Sequence, residues 1–394
     1  MSSNIIAHWL NLPQVYPEKI DIVGGSTIIY LARERGEFVC SGCRETVNQG
    51  YDFRRQYLRD LSCFEYSTYL FVDKFRVDCP SCGVRVEELS FARVFSHYTK
   101  RFEDYVAKLC EILPVSQVAE LLNLDWKTVK EIDKRYLTEK FSHPDYSSLK
   151  ILAIDEVSYR SGHKYLTVVL DLERTKVVWV GEGRSKETLD KFFGEIGEDK
   201  AKEIKAIATD MWDPYLASIS EHAPWAKVVF DKFHVIAEYS KMIDRVRNEE
   251  YRAASEAGKK VIKGSKYLLL KNEQNLKQNQ KERLKELLSV NEVLNTVYIL
   301  KDELKMLWQC RSEEEAASFL EAWVGKARAS GNEELSKFAK KLMRYSYGLI
   351  NHAVYPINSA KLEGVNNKIK VIKRRSYGFH DLTYFMLKIK QGFT

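Results

Sequence analysis

No stretch of this chain approaches the roughly 18 consecutive apolar residues of a membrane-crossing helix, so none is expected. The opening segment, MSSNIIAHWLNLPQVYPEKI, lacks a basic start followed by a small-residue cleavage site, and it does not read as a secretion signal. The seven cysteines are an odd number and come with no export signal. That argues against a disulfide framework and for a reducing cytoplasm, where paired cysteines suggest metal. There is no internal repeat and no low-complexity run, which leaves ordinary folded domains.

What is present fits that setting. A chain of 394 residues is too long for one ordinary core and suggests about two to four domains. Hydrophobic residues at 45% and charged residues at 30% are the balance of a soluble globular protein. The net charge of +7 is a mild basic bias, compatible with a polyanionic partner without demanding one.

The pattern changes along the chain. Residues 1–95 are rich in β-formers, hold five of the seven cysteines and alternate over Tyr66–Arg76. Residues 96–145 read as helical, and FSHPDYSS at 141–148 carries the turn residues of a boundary. Residues 146–240 alternate strand and helix: KILAIDEVSY, HKYLTVVLDLE and TKVVWVGEG read as strands, SKETLDKFFGEIG as a helix capped by Ser185. IKAIATD, DPYLASISEHA with Pro214 in its first turn, and AKVVFDKFHV continue as strand, helix, and strand leading into helix. That order is the one of an RNase H-like domain, a mixed sheet flanked by helices. Residues 241–345 look helical, with Leu268, Leu269, Leu270, Leu304, Leu307 and Trp308 suggesting a packed subdomain, although Trp308 could instead stack on an unpaired base, and residues 346–394 also look helical.

Two strands end in acids, Asp155 after LAI and Asp210 after AIAT. Side chains at strand ends leave the core yet stay rigidly placed, which is where ligands gather in α/β sheets. Cutting a phosphodiester in line is served by two hard cations, and hard cations want carboxylate oxygens. The third acid of such a cradle is expected from Glu363, on a helix that also carries Asn366, Asn367 and Lys370. Glu156 neighbours Asp155 but alternation points it to the opposite side of the strand, so it is expected to be a bystander. Lys368, Lys370, Lys373, Arg374 and Arg375 crowd residues 368–375, where they would neutralise backbone phosphates.

Cys40-Ser-Gly-Cys43 and Cys79-Pro-Ser-Cys82 are two Cys-x2-Cys knuckles, each followed by a residue suited to a tight turn or a basic contact, Arg44 and Gly83. Four thiolates complete a tetrahedral zinc site with no open position, so one structural Zn²⁺ is expected in a zinc-ribbon-like β domain. Cys63 has no partner in the pattern, and Cys110 and Cys310 sit in helical surroundings as core residues.

VSQVAELLNLDWKTVKEIDKRYL at 115–137 reads as helix-turn-helix. Ser116 is the expected cap of the first helix, and Val118, Leu121 and Leu122 its apolar face. Asn123 to Asp125 supply the turn, and Trp126 to Tyr136 the second helix. Lys127, Thr128 and Lys130 then stand near the N-terminal part of the second helix, where recognition helices meet bases and phosphates.

IDEVSYRSGHKYLTVVLDLE, TDMWDPY, FDKFHVI and SAKLEGVNNKIKVIKRRSYGF together resemble the blocks of bacterial insertion-sequence DDE transposases of the ISL-three family. The resemblance runs over most of the chain, including the cysteine pairs. It implies a multidomain α+β protein: zinc-ribbon-like domain 1–95, helix-turn-helix 96–145, RNase H-like α/β catalytic core 146–240 interrupted by an all-α insertion 241–345, and the core's C-terminal helices 346–394. It implies Asp155, Asp210 and Glu363 as a triad holding two Mg²⁺ (or Mn²⁺) ions. The partners it implies are double-stranded DNA, both transposon terminal inverted repeats and target, and it implies at least a homodimer on DNA. Asp231-Lys232-Phe233-His234 also resembles an acid-x-x-His element of several such families, which makes His234 a candidate at the scissile phosphate or metal site; the plainer reading has Asp231 capping a helix. Two other functions share these features: a catalytically inactive DNA-binding regulator, and an RNase H-like nuclease without strand transfer.

Overall fold

The computed structural model describes residues 3–33, 37–357, 360–376 and 378–393. It divides into two units, Met1–His143 and Pro144–Thr394, so the break falls inside the turn-rich FSHPDYSS segment.

In the first unit, strands β1 (Val15–Val23) and β2 (Ser26–Arg33) form a hairpin around Gly24 and Gly25, both at positive φ. Short strands β3 (Phe38–Val39) and β4 (Thr46–Val47) pair with each other, and β5 (Gly50–Cys63), β6 (Tyr66–Cys79) and β7 (Gly83–Val86) follow. The sheet order is β1-β2-β6-β5, with β7 also on β6. Along β6 the expected alternation is real: Thr68, Leu70 and Val72 turn inward onto Ile29, Leu58, Leu89 and Phe91. Three helices, Lys100–Ile112, Val115–Leu122 and Trp126–Lys140, pack around Phe102, Val106, Val118, Val129 and Ile132. Buried Asp60 of β5 joins sheet to helices by accepting from Thr99 Oγ1 and Arg101 Nε, each at 2.7 Å.

The second unit holds β8 (Ile151–Arg160), β9 (Lys164–Asp171), β10 (Lys176–Glu182), β11 (Ala206–Thr209) and β12 (Lys227–Phe230) in the order β10-β9-β8-β11-β12. The first three run antiparallel, and β8, β11 and β12 run parallel. Helices cover both faces. Lys186–Ile196 and Asp213–His222 bury Leu189, Phe192, Tyr215 and Ile219 on one face. Ala360–Arg375 and Leu382–Gln391 bury Leu362, Val365, Ile369 and Phe385 on the other. Ser185 caps its helix as expected, accepting the Thr188 N–H, a contact worth about 1 kcal/mol.

Between β12 and the Ala360–Arg375 helix the described elements are helices, opened by Lys232–Ala253. Their shared core contains Leu268, Leu269, Leu304, Leu307 and Trp323, with Leu270 and Trp308 packed against it. Trp308 is therefore a packing residue. Among the described residues no helix is long and apolar enough to cross a membrane.

Candidate active site and metal centre

The register of the second sheet places the first two acids. β8 and β11 pair through Ala153 and Ala208, and Asp155 and Asp210 each lie two residues further on. Two positions along parallel neighbours is one side-chain period, so both acids keep the face that Ala153 and Ala208 bury under the Ala360–Arg375 helix. Asp155 does not end its strand, as the sequence suggested. β8 continues to Arg160, with Asp155 opposite Val168 of β9. What ends is β11, after Thr209, and this opens the edge of β8 at the level of the acids.

Glu156 is the clearest correction. Alternation does send it to the other face, yet Asp155, Glu156 and Asp210 each offer an oxygen within 4.8 Å of the others. With β11 ended, no strand separates Glu156 from Asp210. Its Oε2 is buried and makes no hydrogen bond. Burial, then the charges of Asp210 and Asp155, push Glu156 up to about 7. Burial likewise raises Asp155, with Asp210 adding to the rise. Acids crowded until they resist ionisation, one with an orphaned buried oxygen, are a donor set short of a cation, and hard divalent ions fit it.

Other elements bind this cluster. Asn366 of the Ala360–Arg375 helix donates its Nδ2–H to Asp155 Oδ2 at 2.6 Å. His234 Nδ1 lies 2.6 Å from Asp210 Oδ1 and 3.5 Å from Asp231 Oδ2. Those two contacts push His234 up to about 10, so it is an imidazolium at neutral pH in the metal-free protein. Asp231 also caps the Lys232–Ala253 helix, accepting the Phe233 N–H at 2.8 Å. The capping reading of Asp231 and the closeness of His234 to the site are thus both true.

Glu363 is not in the group of converging oxygens. It is exposed on the Ala360–Arg375 helix, one turn before Asn366. On the same helix Lys370, Lys373 and Arg374 line a groove with Val157, Ser158, Ile369 and Gly378. Val157 and Ser158 directly follow Glu156 on β8, so this basic groove leads away from the acids. Arg375 is exposed at the end of that helix, outside the residues lining the groove. Sequence reasoning did not single out Arg184, Tyr165 and Trp212. Arg184 Nη1 stands 3.8 Å from Glu156 Oε1, and its guanidinium lies over the rings of Tyr165 and Trp212. A sequence offers no signal for such a meeting, because the three come from separate loops and strands.

In the first unit, Cys40, Cys43, Cys79 and Cys82 each offer a sulfur within 4.8 Å of the others. The backbone N–H groups of Cys43 and Gly42 hold the Cys40 thiol down to about 7. Arg44 and Gly83, the residues after each knuckle, have φ of 63° and 68°. A side chain on Gly42 would meet Cys82 Sγ at 2.9 Å, so the first knuckle packs closely against the second. The residues fit a four-thiolate metal. Buried Glu87, bridged to Cys40 through the backbone, accepts from Phe75 N and Arg33 Nη1 of the sheet, each at 2.7 Å. Among the other cysteines, Cys63 is exposed, Cys110 is buried and Cys310 is half-buried.

In the three-helix segment, Pro114 and not Ser116 stands at the cap of the Val115–Leu122 helix. Leu121 is 61% exposed, and the inward face is Val118 with Ala119 and Leu122. Asn123 makes the turn in the left-handed region, and Asp125 caps the next helix by accepting from Lys127 N and Thr128 N. That helix runs on to Lys140, one turn beyond the expected end. Lys127 is exposed at its start, with Thr128 and Lys130 half-buried.

A four-thiolate knuckle pair and a helix-turn-helix on one chain with an α/β sheet bearing clustered acids define a DNA-acting protein of the transposase class. The comparisons agree in all three parts. Residues 152–389 match the ISL3-type DDE family described as "Transposase", 87–137 match the "Helix-turn-helix domain of transposase family ISL3", and 36–82 match the "zinc-finger of transposase IS204/IS1001/IS1096/IS1165". The chain belongs to the ISL3 family of insertion-sequence transposases. It is 38% identical to the "Transposase for insertion sequence element IS1001" of Bordetella parapertussis over 374 residues, which is 94% of this chain and 92% of that one. It is 27% identical to the "Transposase for insertion sequence element IS1557" of Mycobacterium tuberculosis over 391 residues, 92% of this chain and 87% of that one. It is accordingly a DNA-binding transposase with a DDE catalytic domain.

Proposed function

We propose that this transposase binds the ends of its own insertion sequence, cuts a phosphodiester there and joins the freed 3′ hydroxyl to target DNA, with Asp155, Asp210 and Glu363 as its triad. The observation that carries the proposal is the placement of Asp155 and Asp210 at one level of adjacent parallel strands, on the face covered by the helix that bears Glu363. The strand order β10-β9-β8-β11-β12 with helices on both faces supports an RNase H-like core. The helices between β12 and Ala360–Arg375 support an all-α insertion within it, and the break at His143 supports a separate DNA-reading part before it.

The triad would hold two Mg²⁺ or Mn²⁺ ions, which supply charge neutralisation at the phosphate and a more acidic attacking hydroxyl. The chain's own residues do the rest. Asn366 fixes the Asp155 carboxylate, and His234 fixes Asp210. Lys370, Lys373, Arg374 and Arg375 neutralise DNA phosphates near the acids, while Lys127, Thr128 and Lys130 meet the element ends. The four cysteines would hold one structural Zn²⁺. Bringing two ends together implies at least two copies on DNA, working in the bacterial cytoplasm.

The test is Mg²⁺-dependent cleavage and joining of the inverted repeats that flank the gene. Asp155→Asn is expected to abolish both while binding persists; unchanged cleavage sinks the assignment. The convergence of Glu156 favours a second ligand set, Asp155, Glu156 and Asp210. Glu363→Gln and Glu156→Gln decide between them: the triad reading requires the first to abolish cleavage and the second to leave most of it. Hydrolysis without joining would make the protein a nuclease.

A further inference from the structure

We propose that Arg184 is a catalytic residue that donates hydrogen bonds to the scissile phosphate, an inference that rests on the transposase reading above. A phosphodiester brought beside Asp155, Glu156 and Asp210 meets a cluster of acids, so a cationic side chain at the point of contact favours its approach. Arg184 stands there, beside Glu156 but not hydrogen-bonded to it.

Its backbone is fixed on both sides. Gly183, at a φ of 103° that suits glycine, donates to Tyr165 O at 2.9 Å, and Ser185 caps the following helix. The Arg184 carbonyl accepts the Trp212 indole N–H at 2.9 Å. Beyond the backbone, the guanidinium lies 4.2 Å from the Tyr165 ring centre and 4.8 Å from that of Trp212. Such contacts hold the plane of the group and leave its N–H donors unused.

Among the described residues these donors make one long ion pair, to Glu156, and no hydrogen bond. Arg101, Arg174 and Arg76 hydrogen-bond Asp60, Asp171 and Asp52 through Nε, the ordinary way a structural arginine is anchored. Among the described residues the Arg184 guanidinium makes no hydrogen bond within 3.5 Å; its nearest acid, Glu156, is at 3.8 Å, and its side chain is 36% exposed. A planar fork of donors, pre-oriented by two rings and open to solvent beside the acids, matches two oxygens of a phosphate. Binding it costs little side-chain entropy, because the rings already hold the group.

The experiment uses the full-length protein, the flanking inverted repeats, and single-turnover cleavage with phosphorothioate at the scissile phosphate in each diastereomer. Mn²⁺ replaces Mg²⁺ because it tolerates sulfur. Arg184→Ala is expected to slow cleavage of the unmodified end about 100-fold, the scale of a lost transition-state donor, with end binding changed less than about threefold. Arg184→Lys, which keeps the charge and guards against a folding defect, is expected to recover only part of the rate. The ratio of wild-type to Arg184→Ala rates should shrink for the diastereomer that puts sulfur against Arg184 and persist for the other. An equal ratio for both, or an Arg184→Ala rate within threefold of wild type, overturns the inference alone. Wild-type protein that cuts nothing overturns the transposase reading and this inference with it.

Discussion

Asn366 reaches Asp155 across 211 positions of sequence, its amide 2.6 Å from the carboxylate. This contact is how the Ala360–Arg375 helix, formed after a long run of other helices, becomes part of a site founded on β8. An amide that donates to a carboxylate ligand orients it and leaves its other lone pairs for a cation. Asn366→Ala is expected to lower cleavage of element ends by about 10- to 100-fold, the usual effect of losing such a partner, and to raise the Mg²⁺ concentration needed for half-maximal rate in parallel. Isothermal titration and cleavage rates at several Mg²⁺ concentrations check it; full activity at low Mg²⁺ would refute it.

Glu156 stands in the acid cluster with one oxygen unpaired. In metal-free protein it is one of three groups that repel each other. Glu156→Gln is therefore expected to raise the melting temperature of the metal-free protein, and added Mg²⁺ should narrow the gap by relieving the same repulsion in the wild type. Differential scanning fluorimetry with and without Mg²⁺ measures both arms.

Gly42 sits where a Cβ would meet Cys82 Sγ at 2.9 Å. Gly42→Ala is expected to loosen the four-sulfur site, so that a chelator strips its metal from the variant at a lower concentration than from the wild type. Metal analysis should find one zinc per chain before treatment. Equal resistance in variant and wild type would show that the knuckles have room to spare.

Lys127 is exposed at the start of the second helix of the helix-turn-helix, and Val129 is fully buried beneath it. Lys127→Ala should weaken DNA binding and reduce the slope of log affinity against log salt by about 1. Val129→Asp should instead abolish binding through unfolding, seen as lost helical circular dichroism.

Lys301 is buried, donating to Leu269 O at 2.7 Å and Lys271 O at 3.2 Å, and burial lowers it to about 8. Its ordinary value is 10.5, so between these two values the unfolded chain binds the proton and the folded chain does not. Stability contributed by this group thus rises with pH across that window, and the cost of holding the charge is fully felt below about 8. Lys301→Met is expected to flatten that rise, measured as the difference in urea midpoint between variant and wild type from pH 7 to 10.

Much of this protein was legible one segment at a time. The strand and helix order of residues 150–235, the Ser185 and Asp231 caps, the cysteine knuckles and the helix-turn-helix all follow from local rules of turn, cap and period. Each depends on neighbours in sequence, so the sequence carries the signal. Where tertiary contacts differ from the local pattern, one reason recurs. An apolar run that stops at Asp155 suggests a strand end, but β8 continues since β9 still pairs with it. The spacing of Leu121 suggests an inward face, but the first helix of the motif buries a narrower stripe. Alternation does turn Glu156 to the other face, but β11 ends at Thr209, so its carboxylate still comes within 4.8 Å of Asp210.

By itself, then, the sequence determined the order of the elements, the two Cys-x2-Cys pairs and the family, and it put forward Asp155 and Asp210 as candidate acids. Tertiary structure alone decided which groups face those aspartates: Glu156 through the early end of β11, Asn366 through the packing of a late helix, His234 through its turn onto Asp210, and Arg184 through two rings from different elements. The reason is physical. Caps, turns and knuckles are set by chain geometry over a few residues. Charges from distant segments meet only where strand register and helix packing bring them, and neither is written in any single segment.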